Sequence, residues 1–169
     1  MSTHLHEPDA RALAPAFLAA GGEGHPSLWW IGGRLDIKVT AAQSRGGLGA
    51  GGFDAERGAS APWHVHRREE EHFAVLGGAV SFRVGNESLN ASAGDYVFLP
   101  RDVPHSYLVT SERARMLTFV TPGGMEGFFV DCGTPIVAGE PQAPPPAPSA
   151  MAAAAARYGV EILGPPPRF

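Results

Sequence analysis

Residues Pro62 to Gly78 read PWHVHRREEEHFAVLGG, which places three histidines and three consecutive glutamates in one short stretch of a weakly charged chain. Strand geometry decides which of them face inward. On a β-strand, residues two apart share a face, so His64 and His66 project side by side with about 6.6 Å between their backbone positions, and Val65 points the opposite way. Two imidazoles so placed can converge on one ion. Glu71 follows His66 by an odd number of positions, so a continuous strand would send it to the wrong face; a break is required. The polar RRE at 67–69 suits an exposed turn. If a strand restarts at EHFAVL, then Glu71, Phe73 and Val75 share one face and His72, Ala74 and Leu76 the other, and Glu71 can meet the two histidines. On this reading Glu69 and Glu70 are solvated turn residues.

Outward from this stretch the chain is rich in turn formers. Gly 22 and Pro 16 together exceed a fifth of the 169 residues, against a usual share of about 12%, and charged residues make 18% rather than about 25%. From Ser27 onward, short apolar or alternating runs (LWWIGGRLDIKVTAA, LGAGGFDAE, HFAVLGGAVSFRV, SLNAS, DYVFLP, HSYLVT, ARMLTFVT) are punctuated by Gly, Pro, Asn and Asp. Roughly ten strands with close turns imply an all-β sandwich or barrel. No helix of crossover length lies between them, which disfavours a parallel α/β sheet. Gly85 and Asn86 mark a hairpin turn, PGGMEGFFVD after Thr121 a short helical turn, and residues 8–20 a short helix broken near Pro15. AGEPQAPPPAPS at 138–149 reads as extended and MAAAAARYG as a helix ending at Gly159. The expected organisation is an N-terminal segment over 1–26, a barrel over 27–131, and over 132–169 a Pro-rich linker, short helix and tail. Ile162 and Leu163 are too apolar for a solvated tail, so this arm is expected to pack on the barrel or across a homodimer.

Charge and composition exclude several classes of function. The formal net charge is −4, and the local basic pairs Arg67-Arg68 and Arg113-Arg115 fall short of a phosphate-tracking stripe, so nucleic acid is not an expected partner. No run approaches the roughly 18 apolar residues of a membrane span, and no export signal opens the sequence, so a soluble cytoplasmic protein is expected. Cys132 is the sole cysteine, which rules out an intrachain disulfide and a thiolate metal cage.

GASAPWHVHRREEEHFAVLGG, Gly58 to Gly78, resembles the first motif of the cupin superfamily: Gly, five residues, His-x-His, a short spacer, Glu, six residues, Gly. GDYVFLPRDVPHSYLV, Gly94 to Val109, resembles the second, with Pro100 and then His105 at the ligand position. Asp102 stands where the family usually has glycine and Val109 where it often has asparagine. The resemblance implies a double-stranded β-helix, or jelly roll, with His64, His66, Glu71 and His105 as four ligands to one divalent transition metal inside the barrel. The alternative is that the four satisfy one another without an ion. Three imidazoles and a carboxylate suit Fe, Mn, Ni, Co, Cu or Zn better than Mg or Ca.

The whole chain is similar to the quercetin 2,3-dioxygenase-like group of single-domain cupins. That similarity implies an oxygenase in which Glu71 also takes a proton from an enol or phenol substrate, such as a flavonol or related polyketide, that reacts with O2. Two other classes stay open: a non-redox cyclase or isomerase of aromatic polyketides, and a small-molecule-binding protein without turnover. Phe73, Val75 and Tyr107 are the expected pocket residues. Trp30, Phe82, Phe98 and Phe119 lie on nearby strands and are expected mainly to fill the core.

Overall fold

The computed structural model describes residues 25–169, so the broken helix expected over 8–20 lies outside the described residues. The first long apolar run is a hairpin, not one strand. β1 (Ser27–Trp30) and β2 (Gly33–Val39) are joined at Ile31 and Gly32, both with positive φ (22° and 85°), and glycine adopts that backbone without steric cost. A single helical turn, α1 (Ala41–Ser44), capped by the Thr40 side chain accepting from the Gln43 N–H, leads into β3 (Gly49–Glu56).

The decisive stretch then divides into β4 (Trp63–His66) and β5 (Glu70–Gly77). Next come β6 (Ala79–Val84) and β7 (Glu87–Ser92), which turn at Gly85-Asn86 as expected, and then β8 (Tyr96–Leu99), β9 (His105–Val109) and β10 (Arg113–Thr121). The chain ends through α2 (Glu126–Cys132), β11 (Thr134–Pro135), an extended proline-rich passage, α3 (Pro148–Arg157) and β12 (Val160–Gly164).

The strands form two antiparallel sheets, ordered β11-β1-β2-β3-β10-β5-β8 and β12-β4-β9-β6-β7. This is the expected jelly roll. β4 and β5 belong to different sheets, so the break between them is the point where the chain crosses from one to the other. Inward residues of both sheets, among them Leu35, Phe53, Phe73, Phe82 and Tyr107, make one continuous core. Phe73, Phe82 and Tyr107 sit with ring centroids 5.3 to 6.3 Å apart, within the range of favourable aromatic contact. Gly78, which ends the first motif, has φ 78°, and a Cβ there would collide with the Arg113 carbonyl, so no larger residue fits.

The C-terminal segment is more than a linker, helix and tail. β11 pairs with β1, and β12 lies antiparallel beside β4, with Val160 opposite His66 and Ile162 opposite His64. α3 turns Met151, Ala154 and Ala155 toward the barrel at i, i+3, i+4 spacing, the helical period that puts three residues on one face. Among the described residues no helix is long and apolar enough to cross a membrane.

Candidate metal centre

β4 and β9 are neighbours, and His64 is registered against His105. Glu71 enters from β5 on the opposing sheet. The break that parity required therefore does more than correct a register: it carries Glu71 across the barrel to face the histidines. All four side chains are buried, with 1 to 8% of each residue exposed.

The ring nitrogens have fixed roles. His64 Nδ1 lies 2.8 Å from the Pro62 carbonyl and His105 Nδ1 lies 2.9 Å from the Val103 carbonyl. A carbonyl oxygen only accepts, so both Nδ1 atoms carry the proton, and Nε2 is the inward atom of each ring. His64 Nε2 is 3.1 Å from His66 Nε2, His105 Nε2 is 3.2 Å from Glu71 Oε2, and His66 Nε2 is 3.7 Å from the same oxygen. These lengths match the edges of a coordination polyhedron whose ligand atoms each stand about 2.0–2.2 Å from one ion. Among the described residues this is the group of His and Glu ligand atoms, all within 4.8 Å of one another, that could hold a metal ion.

Electrostatics favour the same use. Burial, reinforced by His105 and His66, pushes His64 down to about 3, and burial likewise pushes His66 down to about 4. Burial alone would raise Glu71, but the contact with His105 and the surrounding imidazoles pull it down to about 2. At neutral pH His64 and His66 thus offer unprotonated imidazole nitrogens and Glu71 an ionised carboxylate, the forms that bind metals. The donor set fits a divalent transition metal.

The turn before His105 is braced by Asp102, whose N–H donates to the His66 carbonyl at 2.9 Å. Its φ of 65° is the left-handed backbone that explains the glycine usual there, and Asp is among the residues that tolerate it.

A cavity of about 560 Å³, counted out into its mouth, opens onto His64 and Glu71. Its walls are overwhelmingly apolar. Phe73 and Tyr107 line it, while Val75, two positions further along β5, is buried in the core away from its lining. Of the aromatics expected mainly in the core, Trp30 lines the cavity and Phe82 is core, whereas Phe98 lies on the outer face of β8 and is 49% exposed. The Thr118 hydroxyl reaches Glu71 Oε1 at 3.4 Å. Burial, and then the nearby Glu71 charge, hold the Tyr107 phenol well above its ordinary range, so it stays protonated.

Sequence reasoning missed one side of this wall. Met125, Phe128 and Phe129 from the α2 region, Met151 from α3, and Val160 and Ile162 from β12 close the cavity. Their i, i+3, i+4 and i, i+2 spacings were visible, but nothing local said which surface they would cover.

The spacer glutamates also need correction. Glu70 opens β5, is part-exposed and faces Arg101 at 3.5 Å. Glu69 is buried, only 3% exposed, because the crossing between sheets folds its side chain under the barrel wall behind His66. Burial raises its carboxyl above the ordinary value.

Comparison with known proteins agrees with this architecture. Residues 53–120, from within β3 into β10, match the cupin domain family. Quercetin 2,3-dioxygenase of Bacillus subtilis is 30% identical over 79 residues, 47% of this chain and 23% of that protein. The enzyme of the same name from Aspergillus japonicus is 32% identical over 76 residues, 42% of this chain and 22% of its own. This chain thus spans under a quarter of the curated relatives it matches. In three dimensions it resembles Pac13, a nucleoside dehydratase from Streptomyces, with a TM-score of 0.56 at 18% identity over 67% of this chain and 88% of the other. That likeness concerns the fold alone.

Proposed function

We propose that this protein is a metal-dependent oxygenase, a dioxygenase acting on an enol or phenol such as a flavonol or related polyketide. One observation carries the reading: Glu71 belongs at once to the donor cluster and to the wall of a cavity otherwise lined by aromatic and aliphatic side chains. The two dioxygenase relatives support the oxidative choice.

His64, His66, Glu71 and His105 would hold one divalent transition-metal ion. When bound, the ion supplies polarisation of a substrate oxygen and, if redox-active, a route for electrons to O2. The chain's own residues do the rest. Trp30, Phe73 and Phe128 offer flat apolar faces that orient a planar ring and exclude water. Glu71, ionised at neutral pH, accepts the proton of a substrate hydroxyl, so the substrate becomes an oxyanion and Glu71 a carboxylic acid. The protonated Tyr107 phenol faces the same space and donates a hydrogen bond to a substrate oxygen.

The pairing of an ionised Glu71 with a protonated Tyr107 also favours a second reading, a cyclase or isomerase that only moves protons. Elemental analysis joined to an oxygen-electrode screen of flavonols and simpler enols separates the two. The oxygenase reading expects at least half an equivalent of transition metal per chain and one O2 consumed per substrate. Product formed without O2 uptake would select the second reading. Metal and ligand bound without any product would make the protein a binding module.

A further inference from the structure

Among the described residues, two buried side-chain polar atoms lack a hydrogen-bond partner: His66 Nδ1 and Glu69 Oε2. They face each other at 3.8 Å, roughly 1 Å beyond a normal N–H···O separation. The other two imidazoles of the cluster have their Nδ1 atoms anchored on the backbone carbonyls of Pro62 and Val103; His66 has no such carbonyl. In its place stands a carboxylate, buried at 3% exposure, on the crossing between β4 and β5.

We infer that Glu69 is the positioning residue of His66, accepting its Nδ1–H and so aiming its Nε2 at the ion. The inference rests on the metal reading of the cluster. Once Nε2 gives its lone pair to a metal, a neutral imidazole must carry its proton on Nδ1, which makes that atom an obligatory buried donor. Left unpaired it is costly, and so is the carboxylate opposite; closing the gap satisfies both groups at once. A carboxylate partner also does what a carbonyl does less strongly, holding the ring in one tautomer and raising the donor strength of its metal-binding nitrogen. His66 is therefore set apart from His64 and His105, as the one imidazole ligand backed by a charge. Glu69 touches neither substrate nor metal.

The test uses zinc(II) alone, with the full chain. Zinc affinity is measured by competition with a chromophoric chelator for wild type, Glu69→Ala and Glu69→Gln, with the folding of each metal-free variant checked by circular dichroism. Glu69→Ala should weaken zinc binding about 10- to 100-fold. Glu69→Gln keeps the volume and an acceptor oxygen but no charge, and should fall in between; it also serves should the alanine variant fail to fold. In zinc-loaded, 15N-histidine-labelled protein, the His66 Nδ1–H should give a slowly exchanging resonance in wild type that is lost in Glu69→Ala. A merely structural role would not move that signal. Zinc affinity within about threefold of wild type in both variants, with the resonance retained, would overturn this inference alone. Failure of wild-type protein to bind zinc, or any transition metal in the elemental analysis, would overturn the metal reading along with it.

Discussion

Two regions of the chain meet on one cavity and contribute to it differently. β4, β5 and β9 bring a set of polar atoms whose spacings, 3.1, 3.2 and 3.7 Å, leave little room for error. α2, α3 and β12 bring Met125, Phe128, Met151, Val160 and Ile162, whose contribution is volume and shape. A ligand atom displaced by an ångström no longer binds its ion, whereas an apolar wall tolerates exchange of one aliphatic group for another of similar size. The first region should therefore fail all at once and the second by degrees.

The sharpest break comes from removing a donor. His66→Ala and His105→Ala should each reduce bound metal to a small fraction of an equivalent and turnover to background, while the circular-dichroism spectrum stays native. The apolar core around Phe82, Leu35 and Phe53 holds the sheets together independently of any ion. Loss of the native spectrum in either variant would instead make the ion a structural one.

Next in size is Glu71→Gln. An amide oxygen still coordinates weakly but cannot take a proton, so much of the metal should remain while turnover falls about 10²- to 10⁴-fold, the usual contribution of a general base. Glu70→Gln, at a part-exposed position facing Arg101, should leave both quantities near wild type. Full activity in Glu71→Gln would remove the proton-transfer role and leave Glu71 only as a ligand.

The contrast between Glu70 and Glu69 shows where the sequence stops being legible. Period-two alternation places His64 with His66 and Glu71 with Phe73, and the run of short strands reads as an all-β sandwich or barrel; the jelly roll and the addition of His105 to the cluster come from the resemblance of the two motifs to the cupin superfamily. Three adjacent glutamates offer no such signal. Which of them is buried depends on the path of the chain as it leaves one sheet for the other, and that path is set by strand pairings distant in sequence. β12 is hidden for the same reason: VEILG has a strand's alternation, but only its docking beside β4 reveals it as part of the barrel. Val75 illustrates the converse limit, since the correct face of a strand does not say how far along it the cavity extends.

Acid should loosen the first region before the second. In the metal-free protein His64 and His66 are held down to about 3 and about 4, below their ordinary 6.5. Between those values the unfolded chain binds protons that the native state refuses, so the stability they contribute is whole above about pH 6.5 and is lost as pH falls toward 4. Glu71, lowered from 4.5 to about 2, adds a loss of the same sign at still lower pH. Melting temperature measured from pH 7 to 4 in chelator should fall steadily, and saturating zinc should reduce the fall near neutrality by competing with the protons. A flat profile would mean that the imidazoles are not buried in neutral form.

The smallest effect should come from the wall. Met151 is 7% exposed, lines the cavity from α3, and lies far in sequence from every candidate ligand. Met151→Ala removes apolar contact from the substrate equally in ground state and transition state, so KM should rise up to about tenfold with kcat unchanged. Metal content should not change, because no ligand atom or Nδ1 anchor is disturbed. Some loss of melting temperature is expected from the space left against Ala154, Ala155 and their neighbours, and this separates a weakened wall from a weakened site. Should kcat and metal content fall as KM rises, the C-terminal segment would be holding β4 and its histidines in place through β12, and the division between a strict donor set and a tolerant wall would be lost.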